Sequence, residues 1–355
     1  MPKNIVVFSD GTGQEGGKGH NTNIYKLFNM VLDRSPEQIA FYDRGLGTGW
    51  RKVAGNVSGM GISKNILECY RFIFETYEVG DQIYLFGFSR GATTVRSLSS
   101  FIHVFGMLPK SRHELIEQAY DIYKTENKKE RDRKAQKFIS KHHTMWCRIK
   151  FLGVWDTVAA LGLPFKTIDV VLDKIPFFRH KFQDLRLSDS VENAYHALAI
   201  DDERLTFHPT LWHRGLKPYQ TMKQVWFCGM HTDVGGGYEE HELSDITLEW
   251  MIQNGVHHGL KIYPKHTIEI TPKANGTMHD SRGTRLTRLY RRKTRTWSSK
   301  NHGKPVVHES VLKRKLNRYN QEEPPYSPWI LEIDYDVEPW NRLTVVTEEA
   351  EQVTT

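Results

Sequence analysis

Short apolar runs that end in glycine or turn residues recur along this chain, and segments of helical spacing separate them. The runs are 4–13 (NIVVFSDGTG), 38–49, 82–91 (QIYLFGFSRG), 148–157 (RIKFLGVWDT), 224–237 (QVWFCGMHTDVGGG) and, more weakly, 304–310. Between them, Ile62, Ile66, Tyr70 and Phe74 recur every four residues, with Ile73 and Tyr77 flanking that stripe, which predicts a helix over 62–77. Residues 111–143 begin as an amphipathic helix and become strongly charged. Continuous apolar strands alternating with helices predict an α/β fold: a mostly parallel sheet flanked by helices on both faces. We expect one domain over 1–355 with two interruptions. Residues 161–222 carry four prolines and many aromatics and read as a cap-like insertion; residues 282–300 read as a basic loop or surface segment.

Composition narrows this picture modestly. With 26% charged and 39% hydrophobic residues the chain is globular in type, and its net charge of +7 suits an anionic partner. Three scattered cysteines make neither a disulfide framework nor a cysteine-rich metal site. No secretory signal and no membrane-length apolar window is visible, so we expect a cytoplasmic protein, or one exported without a cleaved signal. The 282–300 segment holds eight Lys or Arg and no acid. It reads either as a solvated face or as a contact with an anionic membrane surface, anchored by Leu286, Leu289, Tyr290 and Trp297. No nucleic-acid motif occurs.

The sharpest chemical signal is Gly87-Phe88-Ser89-Arg90-Gly91, set between an apolar strand and a helix-compatible run. G-x-S-x-G in that setting predicts a nucleophile elbow, with the serine oxygen raised above the sheet edge. Such a serine needs a base and an orienting acid, in the chain order Ser, Asp, His. Asp156 closes an apolar run and fits the acid, although an aspartate there would also cap a following helix. Two of the chain's 17 histidines fit the base: His231, after QVWFCGM, and His308, after KPVV. The oxyanion donors expected are the backbone N–H of Arg90 and amides of Gly11 and Thr12. The Arg90 side chain is available to hold Asp10 or a substrate phosphate.

Seven stretches in order, FSDGTG, YDRGLGTG, FGFSRGA, GVWDTV, HALAIDDER, MHTDVGGGY and HES, resemble the uncharacterised α/β-hydrolase domain family that includes the type VI secretion phospholipase effectors. The resemblance implies a Ser-Asp-His esterase, in its best-studied members a phospholipase A. Carried across, the nucleophile falls on Ser89, the acid on Asp156 and the histidine on His308. Asp10, His231 and Asp233 become site-lining or alternative residues, no cofactor or metal is needed, and an immunity or secretion protein is the expected partner. Those effectors usually continue into a long membrane-anchoring region, whereas about 45 residues follow His308 here. Three rivals stand beside this reading. One is a hydrolase of another ester or thioester; another is a metal-dependent hydrolase using Asp10, His231 and Asp233. The third is an inactive binding module using its basic surface.

Overall fold

The computed structural model describes residues 2–11, 16–17, 19–45, 57–158, 185–263, 270–285, 287–316 and 325–342. Among these, the first strand, β1 (Asn4–Ser9), shows why the sheet forms: Ile5, Val6, Val7 and Phe8 are consecutive and all fully buried. Successive side chains of a strand point to opposite faces. Ile5 and Val7 therefore join one core cluster, and Val6 and Phe8 the other. The remaining strands are β2 (Arg34–Ser35), β3 (Gln38–Asp43), β4 (Gln82–Phe88), β5 (Ile149–Trp155), β6 (Val191–Ala199), β7 (Thr221–Phe227), β8 (Val306–His308) and β9 (Asp336–Glu338). They form a nine-stranded sheet in the order β2-β3-β1-β4-β5-β6-β7-β8-β9, parallel throughout except for β2 against β3.

Helices cover both faces. On one lie α2 (Val57–Thr76), α3 (Arg90–Phe105), α4 (Glu114–Tyr123) and α5 (Lys128–His142), whose buried Ile66, Tyr70, Leu98, Ile116 and Phe138 share a cluster with β4 and β5. On the other lie α1 (Asn23–Met30) and the helix Glu242–His257. Each fully buried Ile, Leu or Phe of this kind contributes about 1.5–3 kcal/mol. The long polar segment predicted near 111–143 is two helices: α4 ends at Tyr123 and Asn127 starts the next, its side chain accepting the N–H of Glu130 at 3.0 Å and capping α5. This is an α/β-hydrolase-like architecture.

The cap expectation needs correction. Residues 159–184 lie outside the described residues, but Val191–Ala199, inside the expected insertion, form β6 in the middle of the sheet. The sequence VENAYHALA hides a strand because small Ala and polar groups stand where Val and Ile are usual. His196 is fully buried and tolerated because its Nε2 accepts the Thr157 N–H at 3.1 Å.

The topology also fixes where chemistry belongs. From β1 the chain passes to β3 on one side and then to β4 on the other. The carboxyl ends of β1 and β4 therefore flank the point where strand order reverses, the usual ligand crevice of an open parallel sheet.

Candidate active site

Ser89 stands at that crevice, between β4 and α3, with φ 56° and ψ −118°. A non-glycine residue there is strained by about 1–3 kcal/mol, and its surroundings must hold it. Its N–H donates to Trp155 O at 3.1 Å and its carbonyl accepts from Thr93 N at 3.3 Å. The flanking glycines are steric necessities. A Cβ on Gly91 would lie 1.9 Å from Ser9 O, and one on Gly87 would lie 2.6 Å from Gly91 O.

Asp156 follows β5, fully buried, with φ 38°. Its Oδ2 is 2.6 Å from His231 Nδ1, and its Oδ1 accepts the Ala199 N–H at 3.1 Å. The guanidinium of Arg295 donates to both oxygens, at 2.6 and 2.8 Å. Burial by itself raises this carboxyl's pKa. The charge and hydrogen bonds of Arg295, with the bond from His231, outweigh that effect and hold it well below the usual carboxylate range.

His231 opens a short helix, α6 (His231–Gly235), after the turn at 228–230 that follows β7. Its ring packs at 4.7 Å from Phe88, the residue preceding Ser89, and edge-on against Phe207 at 5.2 Å. With Nδ1 engaged by Asp156, Nε2 is the nitrogen left for a second partner. The backbone N–H of His231 donates to Asp202 Oδ2 at 3.2 Å, and Arg204 clamps Asp202 through both oxygens, at 3.0 and 2.6 Å. The stretch HALAIDDER thus supplies β6 and a support for the histidine turn. Asp233 closes the same turn, accepting the N–H groups of Met230 and His279 at 3.0 Å each and pairing with His279 Nδ1 at 2.6 Å.

His308 is not brought to this cluster. It ends β8, three strands from β5 and so about 14 Å away across the sheet. Its Nδ1 pairs with Ser310 Oγ at 2.8 Å, and its ring stacks on Phe227 at 4.7 Å. The expectation that His308 meets Asp156 is therefore corrected: chain order allowed it, strand order does not. Burial pushes the pKa of His308 down to about 3, as it does that of His196. A histidine in the unfolded chain titrates near ~6.5. Between these values the unfolded chain binds more protons, so stability present above pH ~6.5 is lost as pH falls. Urea titrations at pH 7 and pH 5 are expected to show His308→Gln losing about 2 kcal/mol less than wild type on acidification.

The other expected site residues divide. Gly11 lies beside the serine: a Cβ on it would be 3.6 Å from Ser89 Cβ. Its N–H, however, donates to Asp10 Oδ1 at 2.7 Å, so in this arrangement it does not point to an oxyanion. Thr12 lies outside the described residues. Asp10 is buried and accepts from Thr22 Oγ1 and Tyr42 Oη, both at 2.7 Å, rather than from Arg90; burial pushes its pKa up to about 6. The partly buried Arg90 begins α3, where first-turn N–H groups have no partner within the helix. Asp10, His231 and Asp233 thus each bond elsewhere and do not converge. Among the described residues no group of three or more His, Cys, Asp or Glu could hold a metal ion.

The basic segment also resolves into parts. Arg285, Arg288, Arg291 and Lys293 are exposed, as is Leu289 at 58%. Tyr290 packs on Phe207 at 5.8 Å, and Leu286 lies outside the described residues. Trp297 is not an exposed anchor: it packs on the core, its Nε1 bonded to Gly303 O at 2.8 Å. Arg295 is fully buried, and sequence reasoning missed it. No described helix is long and apolar enough to cross a membrane.

The family model described as "T6SS, Phospholipase effector Tle1-like, catalytic domain" matches residues 3–254, a span that includes Ser89, Asp156 and His231 and ends before His308. The chain is 28% identical over 232 residues to the uncharacterized protein YEL023C of Saccharomyces cerevisiae, covering 58% of this chain and 32% of that protein. Among solved structures, an uncharacterized protein from Pseudomonas aeruginosa aligns with TM-score 0.43 at 14% identity, over 74% of this chain and 47% of its own. The Tle1 effector bound to the VgrG spike of the type 6 secretion system aligns with TM-score 0.38 at 18% identity, over 68% and 52%. The esterase Est2 of Thermogutta terrifontis aligns with TM-score 0.41 at 13% identity, over 73% and 83%. The chain spans about a third of the yeast relative and about half of the first two structures.

Proposed function

This chain belongs to the family of Tle1-like type VI secretion phospholipase effectors through their catalytic domain, and from that premise we propose that it is a serine esterase acting on membrane phospholipids, with Ser89 as nucleophile, His231 as base and Asp156 as orienting acid. One observation carries the choice of residues: His231 Nδ1 meets Asp156 Oδ2 at 2.6 Å while its ring lies against Phe88, next to Ser89. That the family match includes His231 and stops short of His308 supports the same choice.

In this reading Ser89 Oγ attacks the ester carbonyl carbon and its proton passes to His231 Nε2, while the Nδ1 proton stays on the bond to Asp156. The oxyanion receives the Arg90 N–H, a contribution of about 10²–10³ in rate for such a donor. Collapse expels the alcohol, which takes the proton from Nε2 and leaves an acyl-Ser89. Water then attacks the acyl group, gives its proton to Nε2, and the fatty acid leaves as Ser89 recovers its hydrogen. The exposed cations of 285–293 and Leu289 stand near Tyr290, itself on the Phe207 wall of the histidine. They support peripheral contact with an anionic lipid surface.

The test pairs fluorophosphonate labelling with fatty-acid release from phosphatidylethanolamine–phosphatidylglycerol vesicles. We expect the label on Ser89, release abolished in Ser89→Ala, and vesicle binding that weakens as salt is raised toward about 1 M. Labelling without release keeps the serine hydrolase and removes the lipid. Absence of label on Ser89 removes the nucleophile itself.

A further inference from the structure

Asp156 and Arg295 are both closed to solvent, and every polar edge of the carboxylate is occupied. Oδ1 accepts from Arg295 Nη1 and from the Ala199 N–H; Oδ2 accepts from Arg295 Nη2 and faces His231 Nδ1. The same guanidinium donates to two backbone carbonyls, Ala199 O and Phe207 O, at 2.6 Å each. Phe207 is also the aromatic wall against the imidazole. One arginine therefore ties together the acid, the end of β6 and the ring that confines His231.

The charge balance is equally specific. Facing His231 are Asp156 and Asp202, each paired with its own arginine, Arg295 and Arg204. Asp233 sits on the same turn, bound to His279. Arg90 follows Ser89, and Tyr290 stands behind Phe207. An acid left alone in a dry site would favour the protonated imidazole strongly; an acid neutralised by a bidentate arginine favours it less.

We infer that Arg295 is a positioning residue of this site: it fixes the plane of the Asp156 carboxylate and cancels its charge, and so holds the imidazole of His231 in the orientation that takes the serine proton. The inference rests on His231 being the base. Whichever atom of the Asp156–His231 pair holds the shared proton, removing a positive charge beside the pair raises the pH at which a proton is bound.

The experiment measures p-nitrophenyl butyrate hydrolysis by the full chain between about pH 5 and 9, with rates expressed per serine titrated by fluorophosphonate. Arg295→Gln is expected to lower kcat about a hundredfold with little change in KM, since small misplacements of a catalytic group cost that much. Its acidic limb is expected to move up by about one pH unit. Arg295→Lys keeps the charge and loses the two-pronged geometry, so its limb stays in place while kcat falls about tenfold. Loss of folded protein lowers the number of titratable serines and moves no limb. Wild-type kcat and an unmoved limb in Arg295→Gln overturn the inference. If that variant does not fold, full kcat per titrated serine in Arg295→Lys overturns it. A wild type whose Ser89 takes no label removes the proposed nucleophile, and an active His231→Ala variant removes the proposed base; either is recognisable as a failure of that reading rather than of the role of Arg295.

Discussion

Replacing His231 by alanine is expected to lower kcat for ester hydrolysis about a million-fold, as Ser89→Ala does, and combining the two is expected to cost no more. The two groups act as a unit: without the base the hydroxyl keeps its proton, and without the hydroxyl the base has none to take. His308→Ala should retain turnover per folded molecule, because its imidazole is bonded to Ser310 and stacked on Phe227 beyond β7. The deciding measurement is steady-state hydrolysis of a short activated ester, with rates normalised to folded protein by near-UV circular dichroism. A native but silent His308→Ala beside an active His231→Ala would return the base to β8. Asp156→Asn belongs to the same series, with an expected loss of about 10⁴ from the wrong imidazole tautomer.

How far the sequence carried this reading depends on whether each constraint is local. The elbow at Ser89 is legible because its requirement lies within five residues: two glycines that let α3 approach β1 and its own turn. Asp156 is legible because the apolar run of β5 ends on it. The choice between His231 and His308 is not, since both follow a short apolar strand and both obey the chain order. What separates them is the position of β7 and β8 in the sheet, and that depends on β6, whose Ala-rich and polar sequence concealed it. Arg295 was hidden for a different reason. It is one of eight cations in a stretch without an acid, and its partner lies 139 residues away, so nothing nearby marks it as buried. The only local hint is its company, two threonines and then the inward-facing Trp297. Asp202 and Arg204 were more accessible: an acid and a base two residues apart after a strand can pair locally, as these do.

Gly91→Ala is expected to destabilise the protein by about 3 kcal/mol or more, among the largest effects a single methyl group can have. The added carbon would meet Ser9 O at 1.9 Å and Asp10 O at 2.7 Å, and both obstacles are backbone. Neither side can yield cheaply. Ser9 is held by the ladders of β1 with β3 and β4, and α3 is fixed at its start by the bond from Ser89 N to Trp155 O. Gly11→Ala supplies the contrast. Its Cβ would lie 3.5 Å from the Phe88 ring and 3.6 Å from Ser89 Cβ, ordinary contact distances, so stability should change by no more than about 0.5 kcal/mol. The same methyl group would stand beside the nucleophile and take space from an incoming acyl group, so KM should rise in a variant that is otherwise sound. Urea denaturation with ester kinetics on both variants separates the glycine that builds the elbow from the glycine that leaves room for substrate. A Gly91→Ala protein as stable as wild type would mean that α3 does not approach β1 this closely, and the strained placement of Ser89 would then have lost its support.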